Sequence, residues 1–382
     1  MPLLLAIALF LFAVPVPTFA QTAVNIFAEG FPEPVPPATI ARGEDGRITM
    51  RAVRLEQPLV LDGALDEDIY ETIPAATGFI QQYPRGGEPA TEDTHVWIFF
   101  DARNVYVSLR CFDSQPDQMV ANEMRRDNRN IWLNDNVIVA LDTFFDRRSA
   151  FFFQTNPVGG VRDALIIDET NTNYDWNTVW DVRSRRLDTG WTAEMAIPFK
   201  SLRYRPGASQ VWGINVLRVV RSKNEQSLLS PVPVTYGGQG IFRLASAAAL
   251  IGIDPPPGAR NIEIKPYFTS KLITDRPAGI SNDADPDFGV DAKYGLTSSL
   301  TFDFTYNTDF AQVEIDEQQV NLTRFSLFFP EKRDFFLEGQ GVFDFAGSGA
   351  RRGNTPDETP ILFFSRRIGL NEGKPVPIRA GA

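Results

Sequence analysis

The chain has one cysteine, Cys111, and one histidine, His95. A single cysteine excludes an internal disulfide, the pair together cannot build a zinc site of the Cys/His kind, and any serine triad would have to use His95. Cys111 falls inside the apolar run VYVSLRCF and reads as a core residue rather than a reactive thiol. A basic surplus is also missing: 37 Lys and Arg stand against 48 Asp and Glu, for a formal net charge of -11. Phosphate binding needs a concentrated basic patch, so the balance argues against a nucleic-acid partner. The apolar run Leu3–Val14 is too short to span a bilayer, and Pro15, Pro17 and Thr18-Phe19-Ala20 follow it. That order suits a secretory signal cut after Ala20, so the protein is expected to be exported. The Lys or Arg usual at the start of a signal is absent, so Met1 is expected to lie downstream of the true start; a membrane anchor is the alternative.

What is present is aromatic and strand-like. The 382 residues are 43% hydrophobic, 22% charged and 12% aromatic, with 30 Phe, enough for two domains each with its own core. Residues 21–46 are rich in Pro, Gly and Ala and read as a flexible spacer. Ile48–Leu61 starts the folded part as a strand-like run, and a short helix is expected to end near Ile73-Pro74. His95–Phe112 reads as a hairpin in which Val105, Val107, Leu109 and Cys111 share one face. From Asn136 to Phe199 five apolar segments, Val137–Phe144, Ala150–Thr155, Val161–Ile167, Thr178–Leu187 and Trp191–Ile197, alternate with turn clusters. β-Branched and aromatic residues dominate them, which predicts consecutive hairpins of one antiparallel sheet in a β-sandwich, with Trp97, Trp180, Trp191 and Trp212 in its core. Val211–Arg221 and Ile241–Ile253 complete a domain over residues 47–253, and Asp254-Pro255-Pro256-Pro257-Gly258 marks a stiff linker over residues 254–260. Beyond it, in LTFDFTYN, Leu300, Phe302, Phe304 and Tyr306 alternate with Thr301, Asp303, Thr305 and Asn307. Such a dyad fits either a transmembrane barrel strand or a second soluble sandwich with one wet face.

The loop NTNYDWNTVW is where a ligand is expected. Sugar binding needs a flat aromatic face for the apolar side of the ring, with amides, carboxylates or Arg for the hydroxyls. Trp176 with Asp175, Asn173 and Asn177 meets that need locally, and Trp132 with Arg126, Asp127 and Asp135 is a candidate second wall. Asp142, Asp163 and Asp168, with Asp146 and Glu169 nearby, are either calcium ligands or turn residues and partners of Arg147, Arg148 and Arg162. No EF-hand spacing is present. No spacing marks the opposed carboxyl pair that a glycosidase needs.

The segments LDGALDEDIY, HVWIFFDARNVYVSLRCFDSQP, ALDTFFDRRSAFFFQTNPVGGVRDALI and GWTAEMAIPFKSLRY resemble the carbohydrate-binding module family 9 type of domain. That is a jelly-roll-like β-sandwich related to the DOMON-like sugar and haem binders, and the resemblance covers roughly Val53–Val220. Tyr70 stands where the family commonly has Trp, which keeps the aromatic packing. Downstream, FDFTYNTDFAQVEIDEQQVNLTRFSLFFPEKRDFFLEGQGVFDF and ILFFSRRIGLNEGKPVPI are similar to the DUF5916 domain found behind such modules in bacterial outer-membrane proteins. The resemblance implies an all-β chain: an antiparallel sandwich followed, over residues 261–382, by the first strands of an outer-membrane β-barrel. Only five or six segments fit after Asn261, where small barrels need about eight, so a truncated barrel is expected. The expected activity is non-catalytic binding of an oligosaccharide or polysaccharide at the outer membrane or in the periplasm. A glycan-degrading hydrolase or its accessory module, and a structural cap or plug of the barrel, are the alternatives.

Overall fold

The computed structural model describes residues 30–169, 171–174, 176–205, 207–256, 262–275, 280–295, 301–307, 370–371, 374–375 and 379–381. Short strands dominate because β-branched and aromatic runs are cut at close intervals by Gly, Pro, Asn and Asp. In chain order they are β1 (Ile40–Arg42), β2 (Ile48–Arg51), β3 (Val53–Arg54), β4 (Ile80–Tyr83), β5 (Thr94–Phe100), β6 (Asn104–Phe112), β7 (Asn136–Asp142) and β8 (Ala150–Thr155). Then come β9 (Val161–Asp168), β10 (Asn171–Asn173), β11 (Asp181–Leu187), β12 (Gly190–Pro198), β13 (Gln210–Val220), β14 (Glu225–Leu228) and β15 (Ala248–Ile253). One short helix, α1 (Ile69–Thr72), lies between β3 and β4.

Two sheets face each other. The first runs β1-β2-β15-β13-β7-β8-β9-β10, with β14 paired to both β13 and β4; the second runs β11-β12-β6-β5-β3. Their pairings are antiparallel except β2 with β15 and β3 with β5. Between the sheets Val137, Val139, Phe151, Phe153 and Trp212 of the first pack with Val105, Leu109, Cys111 and Trp191 of the second. Trp97, Trp180, Trp191 and Trp212 are all buried, as is Cys111, whose thiol burial pushes up to about 11.

The expected single run of hairpins divides. β7 to β10 stay in the first sheet, whereas β11 and β12 cross to the second, where β12 pairs with β6 from far upstream in the chain. Gly190 at the head of β12 has φ +135°, and a Cβ there would meet the Cys111 carbonyl, so only glycine closes this β11–β12 turn beside β6. The folded unit also begins before Ile48. β1 lies within the stretch read as a flexible spacer and pairs with β2, while Phe31 sits edge-on to Phe145 at 6.2 Å. The signal segment lies outside the described residues.

Neither outer sheet face is left to water alone. Leu55, Leu65 and Tyr70 cover the outside of the second sheet over Trp97, Phe99 and Tyr106. Val232, Ile241, Phe242 and Leu244 cover part of the outside of the first, over Ile138, Phe152, Leu217 and Val219. This explains why Tyr106 and Ser108, on the opposite face of β6 from Val105 and Val107, are buried as deeply as those two.

Beyond residue 261, β16 (Ile262–Asp275), β17 (Ile280–Gly295) and β18 (Thr301–Tyr306) form an antiparallel meander, and Ala380–Gly381 pairs with β18. The registers Phe268 with Phe288, Ala292 with Phe304 and Val290 with Tyr306 put one face in common. On it Ile264, Phe268, Phe288, Phe302 and Tyr306 are exposed by 46 to 68%. The opposite face carries Lys265, Tyr267, Asp291, Asp303 and Thr305, with the Thr305 hydroxyl donating to Asp291 at 2.5 Å. The sheets are open; no closed barrel forms among the described residues. FPEKRDFF lies outside them.

Candidate ligand-binding site

Alternation along β7, β8 and β9 sends Phe151, Phe153 and Val161 inward and leaves Ile138, Phe152, Ala164 and Ile166 on the outer face. Polar residues share that outer face too. Gln154 and Arg162 are directly opposite each other in the β8–β9 ladder, with exposures of 0% and 5%. Gln154 Nε2 donates to Asn136 Oδ1 at 2.9 Å. Gln154 Oε1, however, has no partner among the described residues, and neither have Nε and Nη1 of Arg162. A buried acceptor and buried donors therefore stand side by side without satisfying each other, an arrangement that costs about 1–3 kcal/mol per group in an unliganded fold. Burial lowers the Arg162 pKa, against opposing contributions from Tyr174 and Asp127.

Aromatic groups frame this pair. The Arg162 guanidinium lies 4.0 Å over the Tyr174 ring, and Tyr174 is itself set edge-on to Phe152 at 6.2 Å and 86°. Phe152 in turn stacks on Phe242 at 6.1 Å and 6°. Trp132, half-buried, packs on the same outer cluster from the 3₁₀ turn Arg129–Leu133. That turn is held by an amide network. Asn134 Oδ1 accepts from the Asn122 and Glu123 backbone and from Asn156 Nδ2, and Asn156 Oδ1 accepts from the Gly160 backbone at 2.8 Å. Gly160 must lack a side chain because its Cβ would lie 2.7 Å from the Glu123 carbonyl oxygen. Trp132 is thus carried by a loop whose own hydrogen bonds are closed, whereas the polar pair on the sheet has bonds left to offer.

The residues expected to bind a sugar divide between these surroundings and a separate clasp. Trp176 packs on Phe151 at 5.3 Å and belongs to the inner cluster, so the sheet separates it from Trp132 and the two do not form opposing walls. Arg126 spends its donors within the protein, on Asp163 Oδ2 at 2.5 Å, Asn177 Oδ1 at 3.0 Å and the Thr178 carbonyl at 3.0 Å, and it also pairs with Asp127 at 3.1 Å. Arg126, Asp127 and Asn177 therefore tie the loop after β10 to the loop before β7. Asn173 ends β10 opposite Leu165, and Asp175 lies outside the described residues.

The acids considered for calcium do not converge. Asp142 points to the outer face and accepts the backbone N–H groups of Asp146 and Arg147, whereas Asp163 points inward between Arg126 and the indole N–H of Trp180, which donates at 2.7 Å. The Asp168 side chain lies outside the described residues, and no cluster of three or more metal-ligating groups occurs among the described ones. Asp142 closes a turn, and Asp163 pairs with Arg126 rather than with Arg147, Arg148 or Arg162, the partners expected in the other reading of these acids. Asp135 accepts the Val120 backbone N–H at 2.8 Å and is fully buried.

Asp163 gives a pH prediction. Burial pushes its carboxyl up to about 6, against the lowering effects of Trp180 and Arg126. A carboxyl whose folded pKa is raised adds stability below its unfolded pKa and loses it as pH rises through the folded value. The wild type minus Asp163→Asn difference in unfolding free energy should therefore fall by on the order of 2 kcal/mol between pH 4 and pH 7. Urea titrations at a series of pH values measure it; a difference that rises with pH would mean that the Arg126 pair outweighs burial.

Comparison with known proteins adds family-level findings. Residues 259–377 match the model of the domain of unknown function DUF5916. No curated protein matches the chain. Among solved structures, a carbohydrate binding module family 9 from Caldicellulosiruptor kristjanssonii in complex with cellotriose is similar at 14% identity, covering 55% of this chain and 95% of that one, with a TM-score of 0.36. The glucose complex of a family 9 module from the same organism gives 16% identity, 55% and 98% coverage, and a TM-score of 0.37. A putative carbohydrate-binding protein from Bacteroides uniformis gives 10%, 53% and 98%, and 0.42.

Proposed function

We propose that the protein binds carbohydrate on the outer face of its first sheet, without catalysis, and that the meander after the linker attaches it to a membrane as part of an outer-membrane barrel in an exported chain. The observation that carries the binding site is the facing pair Gln154 and Arg162, with an unfilled acceptor beside unfilled donors. A sugar hydroxyl donates and accepts at once, so neighbouring hydroxyls fill both sides of such a pair. Trp132 and Tyr174 supply the flat apolar surfaces that a sugar ring stacks on. Arg126, Asp127 and Asn177 serve the site by holding the adjoining loops together. The membrane attachment is supported by the meander, whose one face is exposed and apolar while the other is polar, as lipid outside and water inside require.

The test is calorimetric titration of the whole protein, extracted in detergent, against a panel of mono- and oligosaccharides. Gln154→Ala and Trp132→Ala should each weaken binding about tenfold, the value of one hydrogen bond or one stacked ring. Trp176→Ala, on the far side of the sheet, should leave affinity within about twofold. Loss of binding in Trp176→Ala alone would move the site to the inner side, and a folded protein that binds no sugar would end the binding reading. A chain that stays in solution without detergent would end the membrane reading.

A further inference from the structure

We propose that the sugar recognised here is acidic, carrying a carboxylate as a uronic acid does, and that Arg162 is the partner of that carboxylate. This rests on the carbohydrate reading and narrows it.

Several charges around the site are already matched. Arg125 pairs with Glu123 at 2.8 Å, Arg126 with Asp163 and Asp127, and Arg243 with Glu169 at 3.5 Å. Arg162 has no ion pair among the described residues. The acid that acts on it, Asp127, is committed elsewhere: one oxygen lies 3.1 Å from Arg126 Nε, and the other accepts the Asp163 backbone N–H at 3.3 Å. Arg129, exposed on the 3₁₀ turn three residues before Trp132, likewise makes no ion pair among the described residues. Residues three apart eclipse each other in a 3₁₀ turn, so Arg129 stands on the side that presents Trp132.

A guanidinium on a residue only 5% exposed, with Nε and Nη1 both buried, needs a counter-charge as well as hydrogen-bond acceptors. The ring of Tyr174 at 4.0 Å recovers only part of that cost. A neutral sugar would fill the open N–H groups and leave the charge unmatched. A carboxylate fills both, through charge-assisted bonds about twice as strong as neutral ones. Gln154 is suited to the same ligand, because an amide offers an acceptor to a sugar hydroxyl without repelling an anion. The long-range field of a chain with net charge -11 opposes anions, so the preference has to arise at short range, from Arg162, and to survive moderate salt.

The whole protein is titrated with oligomers of galacturonate, glucuronate and mannuronate, each beside its fully methyl-esterified form, which keeps the stereochemistry and removes the charge. At least one acid form should bind roughly tenfold or more tightly than its ester. Arg162→Gln should remove that preference while weakening the ester much less. If esters and neutral sugars bind as tightly as the acids, the acidic preference is wrong and the carbohydrate reading stands. If a folded protein binds no sugar of either kind, both fall. Should Arg162→Gln fail to fold, the acid-to-ester ratio of the wild type decides alone.

Discussion

Glu194→Ala lowers the unfolding free energy by about 3–5 kcal/mol, because removing one buried carboxylate leaves several donors without partners. Glu194 is 1% exposed on β12, facing the outer layer of the second sheet. Its Oε2 accepts the backbone N–H groups of Asp62 at 3.1 Å and Gly63 at 2.7 Å, and its Oε1 accepts the Tyr70 hydroxyl at 2.7 Å. Tyr70 also shares a 2.8 Å hydrogen bond with Ser108 and sits edge-on to Trp97 at 5.3 Å. One carboxylate thus pins the LDG turn, the short helix and the aromatic layer to the sheet. Burial holds Glu194 above the ordinary carboxylate range and Tyr70 far above the ordinary phenol range. Glu194→Gln keeps one acceptor oxygen for the turn and the shape of the side chain, so its cost should be smaller, about 1–2 kcal/mol. Denaturant unfolding of both variants measures the order. An alanine variant within about 1 kcal/mol of wild type would show that the outer layer is held by apolar contact alone.

Phe152→Ala costs about as much, roughly 3–5 kcal/mol, and weakens ligand binding as well. Phe152 is fully buried, stacked on Phe242 and edge-on to Tyr174, so it joins the cover of the first sheet to the ring that lies under Arg162. Truncation opens a cavity and removes the support of Tyr174 together. Phe152→Leu separates the two effects. It refills most of the volume, so stability should return to within about 1.5 kcal/mol of wild type, but it offers no ring edge to Tyr174. Sugar affinity of the leucine variant should stay below wild type; affinity restored with stability would detach Tyr174 from the site.

Strand positions were legible in the sequence where alternation was strict and turn residues bounded the run. Ala150–Thr155 and the β5–β6 hairpin fall where the pattern places them, and the strand tryptophans are core. Which strand pairs with which was not legible, since β12 finds β6 across a long stretch of chain and no local signal marks the change of sheet between β10 and β11. The site shows the same limit. Trp132 carries a visible signal, an aromatic residue among polar neighbours, and it does border the outer face. Trp176 carries the same signal and faces the other way, because sidedness depends on sheet parity and loop path. Gln154 carries no signal of its own, and Arg162 was expected as a partner of nearby acids, with which it makes no ion pair among the described residues. The usable signal was Gln154 in AFFFQT and Arg162 in VRDALIID, and only the register reveals that they stand opposite each other.

The parallel pairing of β2 with β15 has a kinetic consequence. Thr49, Met50 and Arg51 lie beside Ala249, Leu250 and Ile251, so the first strands of the sandwich meet their neighbour only when its last strand is available. Loop closure over that separation is entropically costly, and folds dominated by such distant pairings form in milliseconds to seconds rather than microseconds. During synthesis from the N-terminus, β2 waits without its β15 partner until Ile253 has emerged. Its buried residues Ile48 and Met50 stay within reach of chaperones for that interval.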